Sequence, residues 1–116
     1  MRYLKKYNEN NYLSKDGKVF DCSNQYLNNL PSIPDTVEIL WCFNNELEEL
    51  PPLPDTVEMI DCSNNNLKEL PRLSKRLKYL NCSNNNNLPY YDLEGYWKWF
   101  YKENPDLGEA NKMGLI

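Results

Sequence analysis

Cysteine falls at Cys22, Cys42, Cys62 and Cys82, always 20 residues apart. Thiols at fixed spacing can bind a metal, close disulfides or fill one column of a repeated structure. Beside them stand two carboxylates, Asp21 and Asp61, again in a shared column, which raises the question of paired acid–base chemistry. The chain has no histidine. That removes the commonest general base, the commonest zinc ligand and every Ser-His or Cys-His arrangement. With four glycines in all, there is no glycine-rich loop to cradle a phosphate.

Which chemistry is feasible depends on the elements that hold these columns. At 116 residues the chain is at most one small domain. Its net charge of -4, from 17 acidic and 13 basic side chains with no basic run, argues against nucleic acid or an anionic membrane as the main partner. No apolar span is long enough to cross a bilayer, and the opening "MRYLKKYNENNYLSKDG" lacks the apolar stretch of a secretion signal. The expectation is a cytoplasmic, reducing location.

Aligned on the cysteines, the chain reads "VFDCSNQYLNNLPSIPDTVE", "ILWCFNNELEELPPLPDTVE", "MIDCSNNNLKELPRLSKRLK" and "YLNCSNNNNLPYYDLEGYWK". A fixed period of this kind marks a solenoid of stacked units. The apolar columns are Val37, Val57 and Leu77; Phe20, Leu40, Ile60 and Leu80; Leu27, Leu47 and Leu67; Leu30, Leu50 and Leu70; and Ile33, Leu53 and Leu73. An asparagine column runs through Asn45, Asn65 and Asn85, with Gln25 in the first copy. Alternation at Leu40 and Cys42 gives a short strand with both side chains inward, and stacked copies make a parallel ladder with rungs about 4.8 Å apart. Each asparagine sits where the chain leaves the strand, with its amide placed to satisfy backbone groups that the turn leaves unpaired. The prolines at 31, 34, 51, 52 and 54 forbid helix on the return path and favour an extended, polyproline-like backside.

In the second copy the columns spell Val37-x-x-Leu40-x-Cys42-x-x-Asn45-x-Leu47-x-x-Leu50-Pro-x-Leu53-Pro. This string resembles the leucine-rich repeat, with cysteine in place of the middle strand leucine. Its length and "LPxLP" segment are similar to the shortest subclass, found in secreted bacterial effectors. Similar cysteine-bearing repeats occur in leucine-rich repeat proteins of large DNA viruses of amoebae. The resemblance covers residues 17 to about 93. It implies an α/β-type solenoid, mostly β: a right-handed coil with a parallel sheet on its concave face and an extended convex side. Gln25 and Asn87 depart from the pattern, and both lie at the ends, where capping repeats are atypical. The organisation that follows is an N-terminal cap over 1–16, four repeats over 17–91, a C-terminal capping helix over 92–104 and a tail over 105–116.

A tetrahedral metal site needs four sulfurs converging on one point. Ligands in a row over roughly 15 Å cannot converge. Neighbouring rungs are close enough for a disulfide, since bridged Cα atoms lie about 5.5 Å apart, but parallel side chains and a reducing compartment disfavour it. Cysteine as a small apolar filler is preferred to either alternative, and no metal or other cofactor is expected. Asp21 and Asp61 stand two rungs apart with Trp41 between them, on an open sheet with no enclosed pocket. They read as solvated strand-face acids, so no catalytic residue is expected. "NCS" at Asn81–Ser83 matches a glycosylation sequon but lies inside the ladder.

After the last rung, Leu93, Tyr96, Trp97, Phe100 and Tyr101 follow helical apolar spacing, with Asp92 as N-cap and Pro105 stopping the helix near Glu103. A cap over the fourth rung is preferred to a membrane-surface helix, because Lys98 and Lys102 are balanced by Glu94 and Glu103. Trp99 falls off the stripe. At the other end Tyr3, Leu4, Tyr7, Tyr12 and Leu13 are expected to cover the first rung.

Strand residues between the inward columns face outward. These columns are Val19, Ile39, Met59 and Tyr79; Asp21, Trp41, Asp61 and Asn81; and Ser23, Phe43, Ser63 and Ser83, flanked by Lys18, Glu38, Glu58 and Lys78. Only the second repeat breaks the small-polar habit, with Trp41 and Phe43. Ile39, Trp41, Phe43, Met59, Asp61 and Tyr79 are therefore the candidate contact surface. The expected function is a non-enzymatic module that binds a protein partner there, in a virus- or effector-like setting implied by the resemblance. Self-association, as in a homodimer, is the alternative, and an internal lid over the same face is a third.

Overall fold

A computed structural model describes residues 12–112. Four three-residue strands, β1 (Val19–Asp21), β2 (Ile39–Trp41), β3 (Met59–Asp61) and β4 (Tyr79–Asn81), form one parallel sheet in chain order. The register steps by one repeat: Phe20 pairs with Leu40, Leu40 with Ile60 and Ile60 with Leu80. The return segments between strands hold turns and no helix. Four parallel strands at this spacing, followed by a C-terminal helix, fit a repeat solenoid.

Backbone pairing runs further than the strands themselves. The Glu38 carbonyl accepts from both Glu58 and Met59 N–H groups, and the Glu58 carbonyl accepts from Lys78 and Tyr79. Past the strands, Cys22, Cys42 and Cys62 donate to the carbonyls of Trp41, Asp61 and Asn81, each at 2.9 Å. Each return ends in a tight turn, with Val37 N–H to the Pro34 carbonyl and Val57 N–H to the Pro54 carbonyl. In the last copy Ser74 replaces that proline, and its hydroxyl accepts from the Arg76 N–H at 3.0 Å.

The core is the stack of inward columns. Phe20, Leu40, Leu47, Leu67 and all four cysteines have no exposed surface, and Ile60 and Val57 are close to none. The proline-flanked columns lie nearer the margin: Leu50 and Leu73 are buried, whereas Leu30, Leu53 and Leu70 are half-buried against the core. Stacking therefore buries the strand side completely and the return side partly, as expected where twenty residues must make a whole turn of the coil.

Both free edges of the sheet are closed by short antiparallel pairings. Leu13 bridges Phe20, with a turn over residues 14–17 in which Ser14 N–H donates to the Val19 carbonyl. Tyr12 packs its ring edge-on to Phe20 at 5.9 Å. Tyr12 and Leu13 thus cover the first rung, while Tyr3, Leu4 and Tyr7 lie outside the described residues. At the other edge Asn81 bridges Asp92, and the Tyr91 carbonyl accepts the Cys82 N–H at 3.0 Å. That bond takes the place a fifth rung would fill, so the unpaired edge that invites further pairing is removed.

The α1 helix spans Leu93–Glu103, with the Asp92 side chain accepting the Gly95 N–H at 2.9 Å as N-cap. Tyr96 and Phe100 are buried, and Leu93, Trp97 and Tyr101 pack partly against the core. Trp99, off the main stripe, lies against Tyr90 at 5.2 Å between ring centres. The cap also repairs hydrogen bonding: the Tyr96 hydroxyl accepts the buried Leu73 N–H at 3.2 Å. Arg72 and Lys75 lie over the Phe100 and Tyr101 rings at 5.3 and 5.6 Å. Residues 105–116, a tail without assigned structure in the sequence reading, begin with a second helix, α2 (Pro105–Lys112). Proline lacks the N–H that would continue α1, yet it suits the first position of a new helix, where that N–H has no intrahelical partner.

Candidate functional site

The cysteines line the interior as free thiols. Burial pushes the Cys22 and Cys82 thiols up to about 12 and raises Cys42 and Cys62 well above the ordinary thiol range, with neighbouring thiols and Asp61 adding to the effect. A thiol held this firmly protonated is a poor nucleophile and a poor metal ligand. Among the described residues no group of Cys, Asp or Glu side chains is arranged to hold a metal ion. No helix among them is long and apolar enough to cross a membrane.

Each ladder asparagine is buried and works between two rungs. Asn45 Nδ2 donates to the Cys22 and Cys42 carbonyls at 3.0 and 3.1 Å, while its Oδ1 accepts the Gln25 and Leu27 N–H groups. Asn65 repeats this with Cys42, Cys62 and Leu47, and Asn85 with Cys62, Cys82 and Leu67. Every amide therefore fastens its own repeat to the one before it. Among the described residues no rung precedes the first repeat, and there the Gln25 side chain donates to the nearby Ser23 carbonyl.

The asparagines one position earlier form a second column. Asn24, Asn44, Asn64 and Asn84 are exposed, but all adopt left-handed backbone, with φ between 56° and 58°. Asparagine tolerates that conformation better than other residues with a Cβ. These residues bend the chain out of the strand, so their identity is set by the backbone.

On the outer face, Ile39 pairs with Met59 and Met59 with Tyr79, while Trp41 pairs with Asp21 on one side and Asp61 on the other. Ile39, Trp41, Phe43, Met59 and Asp61 are half-buried, and Tyr79 is 43% exposed. The register thus brings the six candidate contact residues together on three adjacent rungs. Asp61 is not wholly available: its Oδ1 accepts the Ser63 N–H and hydroxyl at 3.0 and 2.6 Å. Ser63, expected to face outward, is buried at 5% exposure.

That local ring recurs. Asp21 Oδ1 accepts from Ser23 N–H and hydroxyl, and Asn81 Oδ1 does the same for Ser83. In sequence the signal is Asp or Asn two residues before Ser, the spacing of an Asx-turn. The second repeat, with Trp41 and Phe43, has neither acceptor nor hydroxyl at these positions. Trp41 and Phe43 therefore displace a structural device that the other three repeats keep. Tyr91, not among the expected surface residues, is 68% exposed beside the β4 edge.

Comparison with known proteins found no matching family model and no matching curated protein.

Proposed function

We propose that the chain is a short leucine-rich repeat solenoid that binds a partner protein through the outer face of its sheet and carries no catalytic activity of its own. Right-handed coiling is the general preference for parallel crossovers. It would make the sheet the concave side and the proline-bearing returns an extended convex side. The observation that carries the functional reading is the second repeat. A structural Asx-turn present in its three neighbours is given up for Trp41 and Phe43, two aromatic side chains left half-buried beside Ile39, Met59 and Tyr79. Giving up a local hydrogen-bonded ring to expose ring surface makes sense when something else covers that surface. A cytoplasmic, virus- or effector-like setting is supported by the repeat's resemblance alone.

A photo-crosslinking residue in place of Tyr79 tests this. A crosslink to a distinct protein, abolished by Trp41→Asp with Phe43→Ser in a folded chain, supports the reading. A crosslink only to a second copy, with a dimer mass by light scattering, would instead make the face a self-association surface.

A further inference from the structure

We propose that the partner seats an arginine side chain on the Trp41 indole between Asp21 and Asp61, an inference that rests on the outer face being the contact surface. The starting point is an asymmetry that the turn does not explain. Three repeats carry the Asx-turn, and its acceptor is Asp21 in the first, Asp61 in the third and Asn81 in the fourth. Asn81 holds Ser83 at 3.1 Å from N–H and 2.7 Å from the hydroxyl, much as Asp61 holds Ser63 at 3.0 and 2.6 Å. The turn therefore requires a side-chain oxygen and no charge. Yet the two rungs that flank Trp41 both carry the carboxylate, and the rung not adjacent to it carries the amide.

In both acids the hydrogen bonds to serine use Oδ1. The second oxygen of each takes no part in the turn. Rung spacing puts the two carboxylates roughly 10 Å apart along the ladder, with the ring between them. A cation over an indole face is attracted by the ring quadrupole. A guanidinium can stack its plane on the ring while donating to one carboxylate at about 2.8 Å, with the charge of the other carboxylate also attracting it. An ammonium is a point charge and gains less from that layout. The surrounding field has the same sign: the face and its flank hold Asp21, Asp61, Glu38 and Glu58 against Lys18 and Lys78, and Lys78 is already paired with Glu58 at 3.2 Å. Met59, Ile39 and Tyr79 beside the seat would take the apolar stem and its neighbours.

The test follows the Trp41 indole N–H signal of the full chain by nuclear magnetic resonance, assigned by its loss in Trp41→Phe. The probes are N-acetylarginine amide, its neutral isostere N-acetylcitrulline amide, and the lysine and leucine amides. Arginine amide should shift the signal saturably, lysine amide should bind several-fold more weakly, and citrulline amide should leave the signal in place. Asp21→Asn and Asp61→Asn, which keep the turn as Asn81 does, should each weaken arginine binding about three-fold at unchanged melting temperature. Equal responses to arginine, citrulline and leucine amides would overturn the cation seat while leaving the face as a contact surface. Unaltered arginine binding by both Asn variants, or no response to any probe, would also overturn it. Crosslinking at Tyr79 judges the contact face separately, because it does not depend on charge.

Discussion

The side-chain amide of Asn45 lies 3.0 Å from the carbonyl oxygen of Cys22, a residue 23 positions earlier and one rung away. A single polar side chain thereby holds two repeats in register from inside the core. Since the same atom group also bonds to its own repeat's Cys42 carbonyl, stacking and turn geometry are coupled. Local loss at one ladder position should be felt by two repeats.

Replacing Asn65 by alanine removes acceptor and donors in a site 6% exposed, leaving the Leu47 N–H unpaired. Destabilisation of about 1–3 kcal/mol is expected from that group alone. Asn64 is exposed, yet with φ at 56° Asn64→Ala should cost about 1 kcal/mol, and Asn64→Gly should be neutral or better. Urea unfolding of the three variants checks both statements, and an Asn64→Ala variant equal to the parent would contradict the left-handed assignment.

The thiols predict an alkaline transition. Their folded pKa values lie above the ordinary value of 9.0, with Cys22 and Cys82 at about 12. Below pH 9 both folded and unfolded chains keep the thiols protonated, so stability is flat. Between about 9 and 12 only the unfolded chain releases these protons, and each thiol removes about 1.4 kcal/mol per pH unit. The four groups together should make stability fall as pH rises from about 9. Cys42→Ala should lower the slope by one thiol's share in urea titrations at successive pH values. In native protein at neutral pH the thiols should react slowly with a thiol reagent, with all four counted after unfolding.

Trp41→Asp with Phe43→Ser gives the second repeat the Asp-x-Ser ring of its neighbours. No inward column changes, so the melting temperature should hold within a few degrees or rise. If the two rings are contact hot spots, each should cost about 2 kcal/mol or more of partner binding. A large fall in melting temperature would show that the rings are buried within the chain.

At the C-terminal cap, Tyr96→Phe deletes one oxygen and leaves the Leu73 N–H without its acceptor. The expected cost is about 1–3 kcal/mol by thermal or urea unfolding. Asp92→Ala, which removes the α1 N-cap, should cost about 1 kcal/mol. A neutral Tyr96→Phe would mean that water reaches Leu73, and that the cap seals the last rung less tightly than its packing indicates.

Much of this architecture was legible because a repeat states its contacts several times over. Period 20 placed the strands, and alternation within "LWC" set which side chains point in. The end of α1 was readable from Pro105, since the missing N–H acts locally. The same residue concealed α2: a proline that stops one helix looks in sequence like the start of a tail, although it is equally suited to begin another. Asn64 shows a related limit, because exposure and backbone conformation are independent, and only φ distinguishes a solvated asparagine from one that bends the chain.

The candidate surface divides in the same way. Trp41 and Phe43 stood out in sequence as breaks in a column, since residue types at repeat-equivalent positions can be compared without coordinates. That the column they break is a hydrogen-bonded ring, and that Asp61 commits one oxygen to it, emerged only in three dimensions, where distances of 2.6 and 3.0 Å join atoms whose side-chain rotamers the sequence leaves open. Sequence determined the repeat, its inward columns and the residues that depart from them, because those follow from composition at a fixed period. Tertiary structure decided how the ends are sealed and what each polar side chain is bonded to. Those outcomes depend on where a stack with no further rung places Tyr91 and Asp92, a question no single repeat poses.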